Sequence, residues 1–154
     1  MLIEQAVKEG RQRVGLPCEQ PQLPAESLIK FWKKTVIENT DKPAFTCLGQ
    51  TLSYGEVDQL SRRIASYFQK QLGLKAGDRI AIQLPNLIQY PALAFAAWHI
   101  GLIVVNTNPM YSTRELIHQF NDAGVKAVIV LDKFYENVRQ AQLETCVEHV
   151  IVCR

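Results

Sequence analysis

The residues able to do chemistry are few, and their spacing assembles none of the common reactive arrangements. His99, His118 and His149 are scattered and lack metal-ligand spacing. Cys18, Cys47, Cys146 and Cys153 form no C-x-x-C pair, so neither zinc nor thioredoxin-like chemistry is indicated. The chain has no G-x-G-x-x-G, no Walker P-loop, no G-x-S-x-G and no H-E-x-x-H. No nucleophile has a base partner at a recognisable spacing. His99 lies in an apolar stretch and reads as a buried, hydrogen-bonded histidine. Asp78 with Arg79, and Asn121 with Asp122, read as ordinary surface groups. Lys30, Lys33 and Lys34 beside Phe31 and Trp32 could touch a membrane surface, but a solvated helix face is the simpler reading. Residue types therefore assign no catalytic, cofactor-binding or metal-binding residue.

The totals bound the class. A chain of 154 residues predicts one domain that buries roughly 70% of its unfolded surface. An apolar share of 47% and a charged share of 21% are ordinary for a globular protein. A net charge of +2 gives no strong pull toward nucleic acid or acidic lipid. The even cysteine count does not make a disulfide scaffold at this size, so the thiols read as reduced and cytoplasmic. The opening MLIEQAVKEGRQRVG has no apolar core and no leader character. The longest apolar run, Ala92 to Val105, is interrupted by His99 and Gly101 and falls short of the roughly 20 residues a membrane span needs.

The elements that must position any site centre on Gly77 to Asn121. Ile80, Ile82 and Leu84 alternate with other residues from Arg79 on, a strand signal. Asn86 with Gln89 predicts a capping box for a helix apolar on nearly every side, from Leu87 to Trp98, with Gly101 ending it. Leu102 to Val105 is a β-branched run without alternation, which predicts a strand covered on both faces. The turn Asn106 to Tyr111 follows, with Pro109 withholding a donor and Asn106 and Asn108 able to bond their own backbone. Ser112 and Glu115 predict a second capping box, with Tyr111 and Leu116 as its hydrophobic staple. Turns at the carboxyl ends of parallel strands are where open α/β sheets bind ligands. This one carries no charged or nucleophilic group, so its residues alone favour a plain junction.

In order, residues 1–26 read as an amino-terminal arm, irregular after a short helix, with Pro17, Pro21 and Pro24. Residues 27–154 read as one α/β unit. A helix from Ser27 to Glu38 places Leu28, Phe31, Trp32, Thr35 and Val36 on one face. Ala44 to Leu48 and Thr51 to Ser53 predict a hairpin with Gly49-Gln50 as a type II′ loop. Ser53 with Glu56 predicts a third capping box, for a helix striped by Val57, Leu60, Ile64, Ala65, Phe68 and Leu72 up to Gly73. Lys126 to Leu131 is a strand, Asp132 caps a helix to about Glu144, and Val147 to Cys153 is the last strand. Strand starts near Arg79, Leu102, Lys126 and Val147 predict βα units in a Rossmann-like parallel sheet with flanking helices, preceded by a helix and a β-hairpin. Ending on a strand suggests that the chain continues in a longer protein.

Four motifs in order carry a resemblance. Thr51-Leu52-Ser53-Tyr54-Gly55-Glu56-Val57 resembles the L-[TS]-Y-x-E-L motif of adenylate-forming enzymes. Gly77-Asp78-Arg79-Ile80-Ala81, followed by Leu84-Pro85-Asn86, is similar to their G-D-R-V-A…P-N segment. Gly101 through Asn106-Thr107-Asn108-Pro109-Met110-Tyr111 to Leu116 resembles the N-P-x-Y-T-x-x-E-L segment of the fatty acyl-CoA synthetase branch, and Pro85 to Pro91 resembles bacterial long-chain fatty-acid–CoA ligases. The match runs from about Ser27 to Arg154, and His99 stands where the family often has Arg or Lys.

The resemblance implies part of the large amino-terminal domain of an ATP-dependent, AMP-forming ligase. Such an enzyme joins a fatty acid to ATP with Mg2+, releases pyrophosphate, and lets coenzyme A displace AMP. It also fits a cytoplasmic protein with peripheral contact at the inner membrane. Separately, the uncovered last strand and open sheet edges predict a homo-oligomer, and the near-neutral charge predicts no nucleic-acid partner. The family's phosphate loop, roughly [ST]-G-T-T-G-x-P-K-G, occurs nowhere in the chain. Its ribose-binding Asp and catalytic Lys are expected beyond Arg154. No catalytic residue is carried over, the chain is expected to be inactive alone, and no cofactor is expected to bind it tightly. Residue chemistry without the resemblance leaves open a small α/β nucleotide-binding module, or an interaction protein on the same scaffold.

Overall fold

The computed structural model describes residues 2–17 and 27–154. The remainder of the arm, with Cys18, Pro21 and Pro24, lies outside the described residues. The elements in order are α1 (Leu2–Arg13), α2 (Leu28–Asn39), β1 (Pro43–Cys47), β2 (Gln50–Ser53), α3 (Tyr54–Lys70), β3 (Arg79–Gln83), α4 (Gln89–His99), β4 (Ile103–Asn106), α5 (Thr113–Ala123), β5 (Val125–Leu131), α6 (Tyr135–Gln142) and β6 (His149–Cys153). A single 3-10 turn, Asp132–Phe134, leads into α6.

The four later strands form one parallel sheet in the order β4-β3-β5-β6. Alternation along β3 and β5 divides the core in two, because successive side chains leave opposite faces of a strand. Ile80, Ile82, Ala127 and Ile129 pack with Phe68 of α3 and Leu93 and Ala97 of α4. Ala81, Val128 and Val130 pack with Leu116 and Phe120 of α5 and Val138 of α6. Helices thus cover both faces, as βα crossovers require. The βα spacing foresaw this sheet.

Several local expectations fail, each for a physical reason. The hairpin loop is Leu48-Gly49, since Cys47 pairs with Gln50. Both loop residues have positive φ, at 49° and 79°, as a type I′ turn requires, so the type II′ expectation over Gly49-Gln50 is out by one residue. β4 is an edge strand with Ile103 48% exposed, so it is not covered on both faces. On α2, Phe31 points to solvent, Leu28 is half exposed beside Trp98 and His99, and Ile29 is half-buried near Trp32. Asp132 does not cap α6. Its carboxylate accepts from the Lys133 N–H within the 3-10 turn, and Phe134 precedes α6 without a side-chain cap.

Two glycines have steric reasons. Gly101 takes φ +75° after α4, and a Cβ there would lie 3.1 Å from the Ala76 Cβ. Gly55 donates its N–H to the Thr40 carbonyl at 2.9 Å, and a Cβ there would meet Thr40 Cγ2 at 2.9 Å. That close approach lets α3 begin directly against the end of α2.

Candidate functional site

Two junctions leave the carboxyl edge of the sheet from the neighbouring strands β3 and β4 and lead to helices on opposite faces. The first joins β4 to α5 and contains the Asn106 to Tyr111 turn. Its capping box is complete. Ser112 Oγ accepts from the Glu115 N–H, and the Glu115 carboxylate accepts from the Ser112 N–H at 2.8 Å and from its hydroxyl at 2.6 Å. Those bonds, the serine hydroxyl first, hold the Glu115 carboxyl below the usual range. Asn108 Oδ1 accepts from the Met110 N–H at 2.9 Å, as an Asx turn does.

Side chains from three other elements and from α5 grip the same turn. Gln83, fully buried at the end of β3, donates from Nε2 to the Asn108 and Pro109 carbonyls at 3.4 and 3.3 Å. Gln119 Nε2 of α5 donates to the Asn106 carbonyl at 3.2 Å. The Tyr90 hydroxyl of α4 donates to Asn106 Oδ1. Asn137 Nδ2 of α6 donates to the Tyr111 carbonyl at 3.4 Å. The buried Oε1 atoms of Gln83 and Gln119 have no partner among the described residues. Sequence reading found the turn, its Asx bond and its box. It missed Gln83, although one amide within Ile80-Ala81-Ile82-Gln83-Leu84 was the available signal.

The second junction, β3 to α4, is different. Asn86 is exposed and caps nothing. α4 starts at Gln89 after Ile88, with no side-chain cap bond. The reason is Pro91. A helix capped at Asn86 would need the Pro91 nitrogen to bond the Leu87 carbonyl, and proline has no N–H. Starting at Gln89 puts Pro91 in the first turn, where the N–H is not needed. The Asn86 carbonyl instead faces the Cys47 thiol of the hairpin at 3.4 Å. Between hairpin and helix lies a groove of about 430 Å³, lined by residues including Phe45, Leu87, Pro91, Phe95 and Trp98. No charged side chain lines it, so it can take apolar matter but cannot stabilise a developing charge.

His99, expected to be a satisfied buried histidine, is one. Its side chain is 8% exposed and its Nε2 lies 3.1 Å from Ser61 Oγ and 3.5 Å from Asp58 Oδ1. The same carboxylate accepts from Trp32 Nε1 at 3.1 Å and from Arg62 at 2.6 Å. One ring nitrogen faces both Ser61 and Asp58, whereas a nucleophilic triad uses the two nitrogens separately. Burial first, against the pull of Asp58, holds the His99 pKa below the usual value. The cluster ties α2, α3 and α4 together.

Asp78, read as an ordinary surface charge, is structural. It accepts from the Lys75 N–H at 2.9 Å and pairs with Lys126 of β5 at 2.7 Å. The Lys126 bond first, then the Lys75 N–H, hold its carboxyl below the ordinary value. Cys47, Cys146 and Cys153 are free thiols, and burial pushes the Cys153 thiol up. Among the described residues no group of three or more His, Cys, Asp or Glu could hold a metal, and no helix is long and apolar enough to cross a membrane.

Comparison with known proteins gives this geometry a context. Residues 32–154 match the family described as AMP-binding enzyme. The chain is 40% identical over 145 residues to a long-chain-fatty-acid–CoA ligase of Escherichia coli O6:H1, covering 94% of this chain and 26% of that protein. It is 37% identical over 150 residues to the Yersinia pestis protein of the same name, covering 93% of this chain and 27% of the relative. Among solved structures, a long-chain-fatty-acid-CoA ligase from Archaeoglobus fulgidus superposes with a TM-score of 0.77 at 26% identity, covering 84% of this chain and 28% of that one. The chain thus spans about a quarter of the length of the relatives it matches.

Proposed function

Because the chain belongs to the AMP-binding enzyme family, we propose that it supplies the first α/β unit of an ATP-dependent long-chain fatty-acid–CoA ligase. The 40% identity to a ligase of that name over 94% of the chain carries this reading. The complete enzyme forms an acyl-adenylate and pyrophosphate, then transfers the acyl group to coenzyme A. ATP and coenzyme A are its cosubstrates. Magnesium, when bound, neutralises charge on the phosphates. The described residues do not fit that ion, since none of their carboxylates and histidines cluster in threes and Asp78 is already paired with Lys126. Residues 27–154 act as framework: sheet, two junctions and the face that the rest of the enzyme packs against.

Grafting tests this directly. Residues 32–154, which match the family, would replace the corresponding segment of the Escherichia coli relative. A folded chimera should form oleoyl-CoA from oleate, ATP and coenzyme A. A chimera with an unchanged thermal melt and no activity would overturn the proposal.

Two finer readings go with it. The protein is cytoplasmic and touches the inner membrane peripherally. The chain also self-associates, because β4 and β6 are each paired on one side only and open strand edges recruit other chains. Light scattering across a dilution series should show mass rising with concentration, and a strictly monomeric species at high concentration would refute it.

A further inference from the structure

α2 is fixed by one side only. Trp32 stacks on Phe95 of α4 with ring centroids 3.7 Å apart, and its Nε1 is bonded to Asp58 of α3. The helix therefore cannot roll, and its far side faces solvent. At helical spacing, Lys30, Lys34 and Ile37 lie opposite Trp32, with Lys33 at one margin and Phe31 at the other, while Leu28, four residues before Trp32, lies on the Trp32 side. All three lysines are exposed. Leu28 is 50%, Phe31 55% and Ile37 79% exposed. The helix holds three lysines against one glutamate, Glu38, a net +2 that accounts for the whole chain's net charge of +2. None of these lysines is in an ion pair with another described residue.

Positive charge interleaved with half-exposed apolar side chains, on a helix locked in orientation, suits a surface with anions above and hydrocarbon beneath. We propose that the outer face of α2 docks on an anionic lipid bilayer. Lys30, Lys33 and Lys34 meet the lipid phosphates, and Phe31 enters the headgroup boundary. This names the surface for the membrane contact proposed above and rests on that reading.

Vesicle flotation of the 154-residue chain tests it, using phosphatidylcholine vesicles with and without phosphatidylglycerol. The parent should float with the anionic vesicles alone, and less so as salt rises. Each lysine near an anionic surface contributes about fivefold, so replacing all three by Gln should weaken binding roughly 100-fold. Arg at the same three positions should preserve binding, and Phe31→Ser should weaken it. Every variant should keep the parent's thermal melt. Binding by the parent that the Gln and Ser variants match would place the contact elsewhere, overturning this surface but not the membrane reading. No parent binding to anionic vesicles would overturn both. Variants that turn a parent dimer into a monomer without changing vesicle binding would assign the face to a second copy and overturn the proposal.

Discussion

The two junctions at the carboxyl edge of the sheet are spelled in similar terms and built in opposite ways. Each combines a proline and an asparagine, and each has Gln or Glu three residues after a candidate cap. At β4–α5 the candidate, Ser112, caps, and amides from β3, α5 and α6 with a hydroxyl from α4 fix the turn. At β3–α4 the candidate, Asn86, is bypassed, and the loop lines an apolar groove. The difference traces to one residue. Pro91 forbids the earlier helix start that Asn86 would need, while nothing in α5 forbids the start at Thr113. A cap motif is thus a permission that the next turn of helix can revoke.

The largest effect should come from the residue that holds the rigid junction from beneath. Gln83→Ala removes a fully buried amide and frees two turn carbonyls. It should cost roughly 2–4 kcal/mol from the lost volume and hydrogen bonds. Urea unfolding measures this, and a cost under half a kilocalorie would mean that the turn supports itself. Next, Ser112→Ala should cost about 0.5–2 kcal/mol. A mutant matching the parent within error would remove the cap assignment.

A smaller effect concerns α4, which lacks a cap and is held along its length instead. His99 is kept neutral by burial, facing Asp58, Ser61 and Arg62 on α3 and Lys33 on α2. Its folded pKa lies below its unfolded value, so the folded state binds fewer protons. The contribution is whole above the unfolded value of about 6.5 and is lost as pH falls below it. His99→Gln should flatten the decline in melting temperature over that acid window. An unchanged slope would show that other groups set it. Smallest of all, Asn86→Ala should change stability by less than about 0.5 kcal/mol. A full kilocalorie would restore Asn86 as a cap and collapse the contrast.

Legibility in the sequence followed the range of the interactions. The parallel sheet, α3 with its Ser53–Glu56 box and α5 with its Ser112–Glu115 box rest on periodicity and short-range bonds, and all were readable. The edge position of β4 was not, because a β-branched run looks alike at the edge and in the middle of a sheet. Nor was the outward turn of Phe31, since Ile29 and Trp32 compete for the same helix and only the packing of Phe95 decides. Gln83, Gln119, Tyr90 and Asn137 converge on one turn from four elements, and no spacing along the chain encodes that convergence.

The central proposal is that the described residues contribute framework and groove but no phosphate-handling group. Fatty-acid-dependent exchange of labelled pyrophosphate into ATP, measured on the purified chain alone, tests it most directly. The account predicts exchange at background whatever the oleate and protein concentration. A signal that rises with the amount of pure protein would contradict it and locate an adenylating site within these residues.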